Sequence, residues 1–242
     1  MKPILLWSLA ALVVAIGVSP AFAGILDSSF VSLNEYRPNP PGSDPTNQEV
    51  ELLGEPNTAF NGWIISVEGD GSSSTGLVDR ASQHSGAFDS NGLLVVEVPD
   101  FENPTFTTIV SSDFTGAIGA TDIDTDDDGT ADDLSAFGTI YDALGIPDNS
   151  SDELYLYGTD AGGADFKYTG DEPKLVFRDR VTGAWYAVND DGFVPERVSR
   201  LDGSQVVNSA FDMDPEVATF GAANPTIPEP ATAVLLACGA AG

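Results

Sequence analysis

The sequence has one cysteine, Cys238, one histidine, His84, and 9 Lys and Arg against 38 Asp and Glu in 242 residues. Each scarcity removes a class of function. A lone cysteine near the C-terminus leaves the body of the chain with no disulfide framework and no CxxC metal or redox motif. His84 sits in Gln83-His84-Ser85, with Asp89 close by in sequence, and no G-x-S-x-G is present. A serine hydrolase needs a nucleophile, a base and an orienting acid that converge in space, and sequence neighbours do not supply that. The formal charge of −29 repels nucleic acid and anionic membranes. It suits divalent cations, or simply a surface that stays hydrated in concentrated salt.

Long apolar runs are scarce as well. The first, Ile4 to Val18, follows a single cation, Lys2, and leads into Pro20 and Ala21-Phe22-Ala23. That is the three-part layout of a secretory signal, with cleavage expected between Ala23 and Gly24. The run is short of the ~20 residues a membrane-spanning helix takes. The chain is therefore expected to be exported, with residues 1–23 as signal peptide.

Between the ends, short alternating runs of β-formers are separated by Gly, Asp, Asn, Ser and Pro. Strands are expected at Phe30 to Tyr36, Glu49 to Leu52, Trp63 to Val67, Leu93 to Val98, Phe106 to Val110 and Leu154 to Tyr157. Lys174 to Val188 reads as two strands joined around Val181-Thr182-Gly183, and Gly138 to Ile146, though ambiguous, reads as a strand. No repeat of solenoid or propeller period is visible. The expectation is a mainly β protein, an antiparallel sandwich or barrel with long acidic loops.

The succession Leu33-Asn34-Glu35, Pro38-Asn39-Pro40, Glu49-Val50-Glu51-Leu52 and Asn61-Gly62-Trp63 resembles the lamin-tail domain of secreted bacterial proteins. The downstream order is similar too: Ser90 to Leu94, an Asp-rich loop with D-x-D-x-D-G, and the pair Tyr157-Gly158. The resemblance implies an immunoglobulin-like β-sandwich, assigned to residues 24–211. After a linker at 212–226 comes Ile227-Pro228-Glu229-Pro230 and an apolar stretch, which resembles a PEP-CTERM sorting signal at 227–242. Pro228, Glu229 and Pro230 are the motif residues. The resemblance implies recognition by an exosortase, transient association with the inner membrane, and a Gram-negative cell-surface or extracellular destination. Only 12 residues follow Pro230, and no Lys or Arg closes them. As helix they rise ~18 Å, against a hydrocarbon core of ~30 Å, so the sorting segment is expected to be truncated.

Thr121 to Asp133 reads TDIDTDDDGTADD, seven aspartates in thirteen positions. Aligned on its glycine, Asp124, Asp126 and Asp128 take ligand positions one, three and five of a calcium loop. Thr130 takes the seventh through its carbonyl, and Asp132 the ninth. Ser135 stands where a helix-loop-helix sensor carries its bidentate Glu, so binding is expected to be weak, on the order of 10⁻⁴ to 10⁻³ M. The competing reading is a solvated acidic loop.

Trp185 and Tyr186 are adjacent in an expected strand and so should face opposite ways. One of them is either exposed and able to stack on a sugar, or Trp63 and Trp185 lie in the core with Tyr186 half-covered. Asn149-Ser150-Ser151 matches a glycosylation sequon. The functional expectation is a non-catalytic surface or matrix module with a structural calcium loop. Its expected partners are exopolysaccharide or other surface proteins, and not nucleic acid. The alternative is a secreted hydrolase whose carboxylate pair the sequence does not reveal.

Overall fold

Ten-residue alternation in Ala59–Glu68 organises the fold. Phe60 and Ile64 point to one side of this strand, and Trp63, Ile65 and Val67 to the other, and both sides are packed. A computed structural model describes residues 30–43, 45–71, 74–101, 105–189 and 195–229. Its strands are β1 Ser32–Tyr36, β2 Asn47–Leu53, β3 Ala59–Glu68, β4 Val78–Ala87, β5 Leu93–Pro99 and β6 Phe106–Ser111. They continue with β7 Ile140–Ile146, β8 Ala164–Asp165, β9 Pro173–Arg178, β10 Trp185–Asn189, β11 Val198–Arg200 and β12 Gln205–Val206. One sheet has the order β12-β11-β10-β9-β1-β2-β5, the other β4-β3-β6-β7-β8. All pairings are antiparallel except β7 with β8, which is parallel, so the seven-stranded sheet is antiparallel throughout and the five-stranded one is mixed at its β8 edge. The protein is a mainly β sandwich.

Its apolar residues form three layers. Between the sheets lie Leu33, Tyr36, Val50, Leu52, Phe60, Ile64, Val110 and Trp185 with their neighbours. The outer face of the five-stranded sheet carries Ile65, Val67, Ile109 and Ala143, covered by Ile123, Phe137 and Tyr157. The outer face of the seven-stranded sheet carries Phe177, Tyr186, Val188 and Val198, covered by Phe211. A sandwich normally leaves its outer faces to water. Here two segments outside the strands cover them: residues 112–139, between β6 and β7 and termed the acidic flap, and residues 207–227, after β12 and termed the strap.

The strap corrects the reading of 212–226 as a linker. Thr219 donates through its N–H and hydroxyl to Glu35, Gly221 N–H donates to Glu51, and Ile227 N–H and the Thr226 hydroxyl donate to Asp179. Arg180 pairs with Asp212 and donates to the Asn224 carbonyl at 2.6 Å. A register shift in β1 between Leu33 and Glu35 lets Leu33 and Tyr36 both enter the core while Glu35 turns outward. The compact body therefore runs at least to Ile227 rather than ending at residue 211, and Pro228 and Glu229 are exposed just past the last anchor. Pro230, Ala23 and Gly24 lie outside the described residues.

Tyr186 is also corrected. It faces away from Trp185, as alternation requires, but Phe211 covers it at 5.0 Å between ring centroids and only 5% of it is exposed. Leu154 to Tyr157 is not a strand, because Asp152–Tyr155 forms a 3₁₀ turn. The Asn149 side chain accepts from the N–H groups of Ser151 and Asp152, and this local bonding wins over extension. β4 escapes a periodicity search because VDRASQHSGA has almost no apolar residue, and its place is set by nine paired positions with β3. Among the described residues, no helix is long and apolar enough to cross a membrane.

Candidate metal centre

The acidic flap leaves β6 and is first pinned by rings. Phe114 stacks on Phe137 at 5.8 Å and meets the edge of Trp63 at 5.7 Å. It then pairs with the turn between β3 and β4: Ile123 N–H donates to the Gly76 carbonyl, and Val78 N–H to the Thr121 carbonyl. Gly76 has φ +77°, and a Cβ there would lie 2.7 Å from the Asp124 nitrogen, so glycine permits this approach. Asp132 N–H donates to the Ile123 carbonyl at 2.6 Å, closing the loop that holds the aspartates.

Inside that loop, Asp124 is fully buried. Its Oδ1 accepts from Asp128 N–H at 3.1 Å, and its Oδ2 accepts from Gly129 N–H and from the Tyr157 hydroxyl, each at 2.8 Å. A carboxylate has about four acceptor sites, so three are used and one remains. Gly129 has φ +85°, and any Cβ there would lie 2.4 Å from the Leu154 carbonyl oxygen. The bend is therefore glycine-specific and brings Asp126 and Asp128 back over Asp124. One carboxylate oxygen from each of Asp124, Asp126 and Asp128 lies within 4.8 Å of the others.

The electrostatics follow. The Asp126 carboxyl is pushed above the ordinary carboxylate range, chiefly by Asp128, then by partial desolvation, Asp132 and Asp124. Asp132 is held below that range by Thr125, whose hydroxyl and N–H both donate to its Oδ2, at 2.6 and 2.9 Å. Three oxygens converge, unneutralised by any Lys or Arg in residues 112–139. Such a set of hard donors fits calcium, with water completing the coordination sphere.

Of the five residues expected as ligands, Asp124, Asp126 and Asp128 come together. Asp132 stands close enough to act on Asp126 but gives Oδ2 to Thr125. Thr130 engages through its N–H, which donates to Asp128 Oδ1 at 2.9 Å. Spacing alone missed the support around them. Tyr157 holds Asp124, the Thr75 hydroxyl donates to Asp127, and Ala131 N–H donates to Asp160 at 2.8 Å. Asp127 itself sits at φ +55°. The Tyr157-Gly158 pair was visible as a motif, but nothing in its spacing tied it to an aspartate thirty-three residues earlier.

Elsewhere, the His84 Nε2 lies 2.7 Å from Ser82 Oγ on the edge strand β4, and burial pushes the His84 ring below its ordinary pKa. Asp89, its neighbour in sequence, is occupied in the turn before β5, accepting from the N–H groups of Asn91 and Leu93. Two open concavities, of about 330 and 250 Å³, are lined in part by Glu196 and Arg197, and by Arg37, Lys174 and Glu216. Each holds one carboxylate. No family model, curated protein or solved structure matches this chain.

Proposed function

We propose that this is an exported, non-catalytic module of the cell surface or extracellular matrix, in which a weak calcium loop fixes a cover onto a β-sandwich. The observation that carries the reading is the convergence of Asp124, Asp126 and Asp128 in a segment that also supplies Ile123 and Phe137 to the outer face of the sheet. A cation there would neutralise the loop and thereby hold apolar cover in place, a structural task rather than a catalytic one.

The strand order β1-β2-β5 in one sheet and β4-β3-β6-β7 in the other supports the immunoglobulin-like, lamin-tail reading, since it parallels A-B-E and C′-C-F-G. The exposure of Pro228 and Glu229 beyond the last strap anchor supports access by a processing enzyme such as an exosortase. Exopolysaccharide or another surface protein is the proposed partner. The alternative is a secreted hydrolase, which needs two facing carboxylates; neither of the two concavities named above supplies such a pair.

Isothermal titration tests the calcium loop. Uptake is expected at millimolar calcium, and its loss in Asp126→Asn/Asp128→Asn. A wild-type protein that binds nothing, or a variant that binds as wild type does, overturns it. Fractionation of the native cells tests export, which a full-length protein in the cytoplasm would contradict.

A further inference from the structure

Residues 213–225 of the strap form a loop whose base and tip are held differently. At the base, Asp212 N–H donates to the Thr226 carbonyl and Thr226 N–H to Asp212 Oδ1, each at 3.0 Å. Arg180 pairs with Asp212, and Asp179 accepts from Thr226 and Ile227, so the base is fixed to the turn between β9 and β10. The tip reaches across to β1 and β2, where Thr219 meets Glu35 and Gly221 meets Glu51. These two carboxylates are fully buried, and they stand opposite each other in the register of β1 with β2.

A proton count at the tip bears on the state of Glu35. The Thr219 hydroxyl lies 3.0 Å from Glu35 Oε2 and 2.9 Å from Asn224 Oδ1, yet a hydroxyl has one proton to give. The Asn224 amide is fixed in orientation, because its Nδ2 donates to the carbonyls of Asn34 and Arg178 at 3.1 and 2.9 Å. With Glu35 ionised, Thr219 can serve Glu35 or Asn224 Oδ1 but not both, and Asn224 is only 1% exposed. With Glu35 protonated, its own hydroxyl donates to Thr219 Oγ1 and Thr219 donates to Asn224 Oδ1. Every member of the chain is then paired. The Thr219 N–H bond to Glu35 Oε1, at 2.8 Å, is kept in either state.

The groups around Glu35 act in the same direction. On one side β2 presents Glu51, which accepts from Asn34 Nδ2 at 2.6 Å and from Gly221 N–H. On the other side β9 places Phe177 in register with Glu35. Arg37, on the exposed end of β1, is the one cation that bears on Glu35, and it lies over the Phe220 ring. Burial, with Glu51 in the same sense, raises the Glu35 carboxyl to about 7 against the bonds from Thr219 and the charge of Arg37. Glu51 is raised as well, chiefly by burial, with Asp89 adding to it. Asp179 and Asp212 are engaged at the base.

We propose that loop 213–225 is a lid latched by a proton on Glu35: closed while Glu35 is a neutral acid bonded through Thr219 to Asn224, and lifted at its tip when that proton is lost. Ionisation leaves a buried acceptor unpaired and sets two buried carboxylates side by side, whereas opening lets water reach both. The hinge is the Asp212 and Thr226 base. Lifting the tip uncovers Glu35 and Glu51 while Phe211 keeps its place against Tyr186. The latch is independent of the flap and of any cation.

The test is made on the full chain. Carbon-13 NMR of the Glu35 carboxyl should show a neutral acid at about pH 5.5, where an ordinary Glu is mostly ionised. Amide exchange, corrected for its intrinsic rate, should give an opening constant for Thr219 and Gly221 that rises about tenfold per pH unit between about pH 5 and 7 and then levels off. The Asp212 and Ile227 amides of the base should not follow it. Glu35→Gln, whose amide can donate to Thr219 as the neutral acid does, should take one proton out of that slope. If the variant fails to fold, the carbon-13 and exchange measurements on the wild type decide. The proposal is overturned by an ionised Glu35 at that pH, by tip amides that ignore pH, by base amides that open in step with the tip, or by Glu35→Gln keeping the wild-type slope.

Discussion

The acidic flap and the strap perform the same task on opposite outer faces of the sandwich, and they are held by the same device. In each, a buried carboxylate accepts hydrogen bonds from the covering segment: Asp124 within the flap, and Glu35, Glu51 and Asp179 beneath the strap. They differ in how charge is balanced. The strap carries Asp212 against Arg180, and Arg37 lies over the Phe220 ring at 5.7 Å. Neither segment carries a Lys or Arg of its own, but among the described residues no flap aspartate is met by an ion pair from elsewhere. One cover has its Asp212 paired as folded, whereas the other keeps three converging carboxylates whose neutralisation, on the proposed reading, comes from solution.

The largest expected effect comes from removing the flap's anchor. Asp124→Ala would orphan two N–H groups and the Tyr157 hydroxyl, at a cost of about 4 kcal/mol in urea unfolding, and would abolish calcium uptake by the loop. Phe211→Ala, in the strap, should cost about 3 kcal/mol by the same measurement. That loss should be equal in calcium and in chelator. If the Phe211→Ala deficit shrank in calcium, the two covers would not be independent.

The strap should instead respond to pH. Burial raises the Glu35 carboxyl to about 7 against its bonds from Thr219, and Glu51 is raised in the same direction by the same cause. Because the folded protein holds the Glu35 proton more tightly than the unfolded chain does, the associated stability is complete below about pH 4.5. It is lost as pH rises toward 7, by roughly 3 kcal/mol for Glu35. In chelator, stability should therefore fall over that interval, and Glu35→Gln should flatten the fall. An unchanged slope in that variant would remove Glu35 from the account. The smallest effect should come from Asp132→Asn, which weakens calcium binding while leaving stability in chelator nearly as in wild type. A larger loss than in Asp126→Asn would make Asp132 a direct ligand.

The sequence revealed those parts of this comparison that rest on period and spacing. Alternation in Glu49 to Leu52 and Trp63 to Val67 marked strands, and D-x-D-x-D-G marked three carboxylates that do converge. Parity in Trp63, Ile65 and Val67 showed a shared face but not that the face lies outside the sandwich, since apolar cover can come from any distant segment. Residues 212–226 read as a linker because their anchors are Glu35, Glu51 and Asp179, far away in sequence and indistinguishable there from other acids. Tyr157 was missed for the same reason: its role rests on long-range proximity, which no local pattern encodes.

Amide hydrogen exchange on the full chain, with chelator and then with about 10 mM calcium, tests the contrast most directly. The Ile123, Asp128, Gly129 and Asp132 amides of the flap should gain protection with calcium, while the Thr219, Gly221 and Ile227 amides of the strap stay as they were. Flap amides that do not change, or strap amides that gain equally, would contradict the claim that only one of the two covers is completed by a cation.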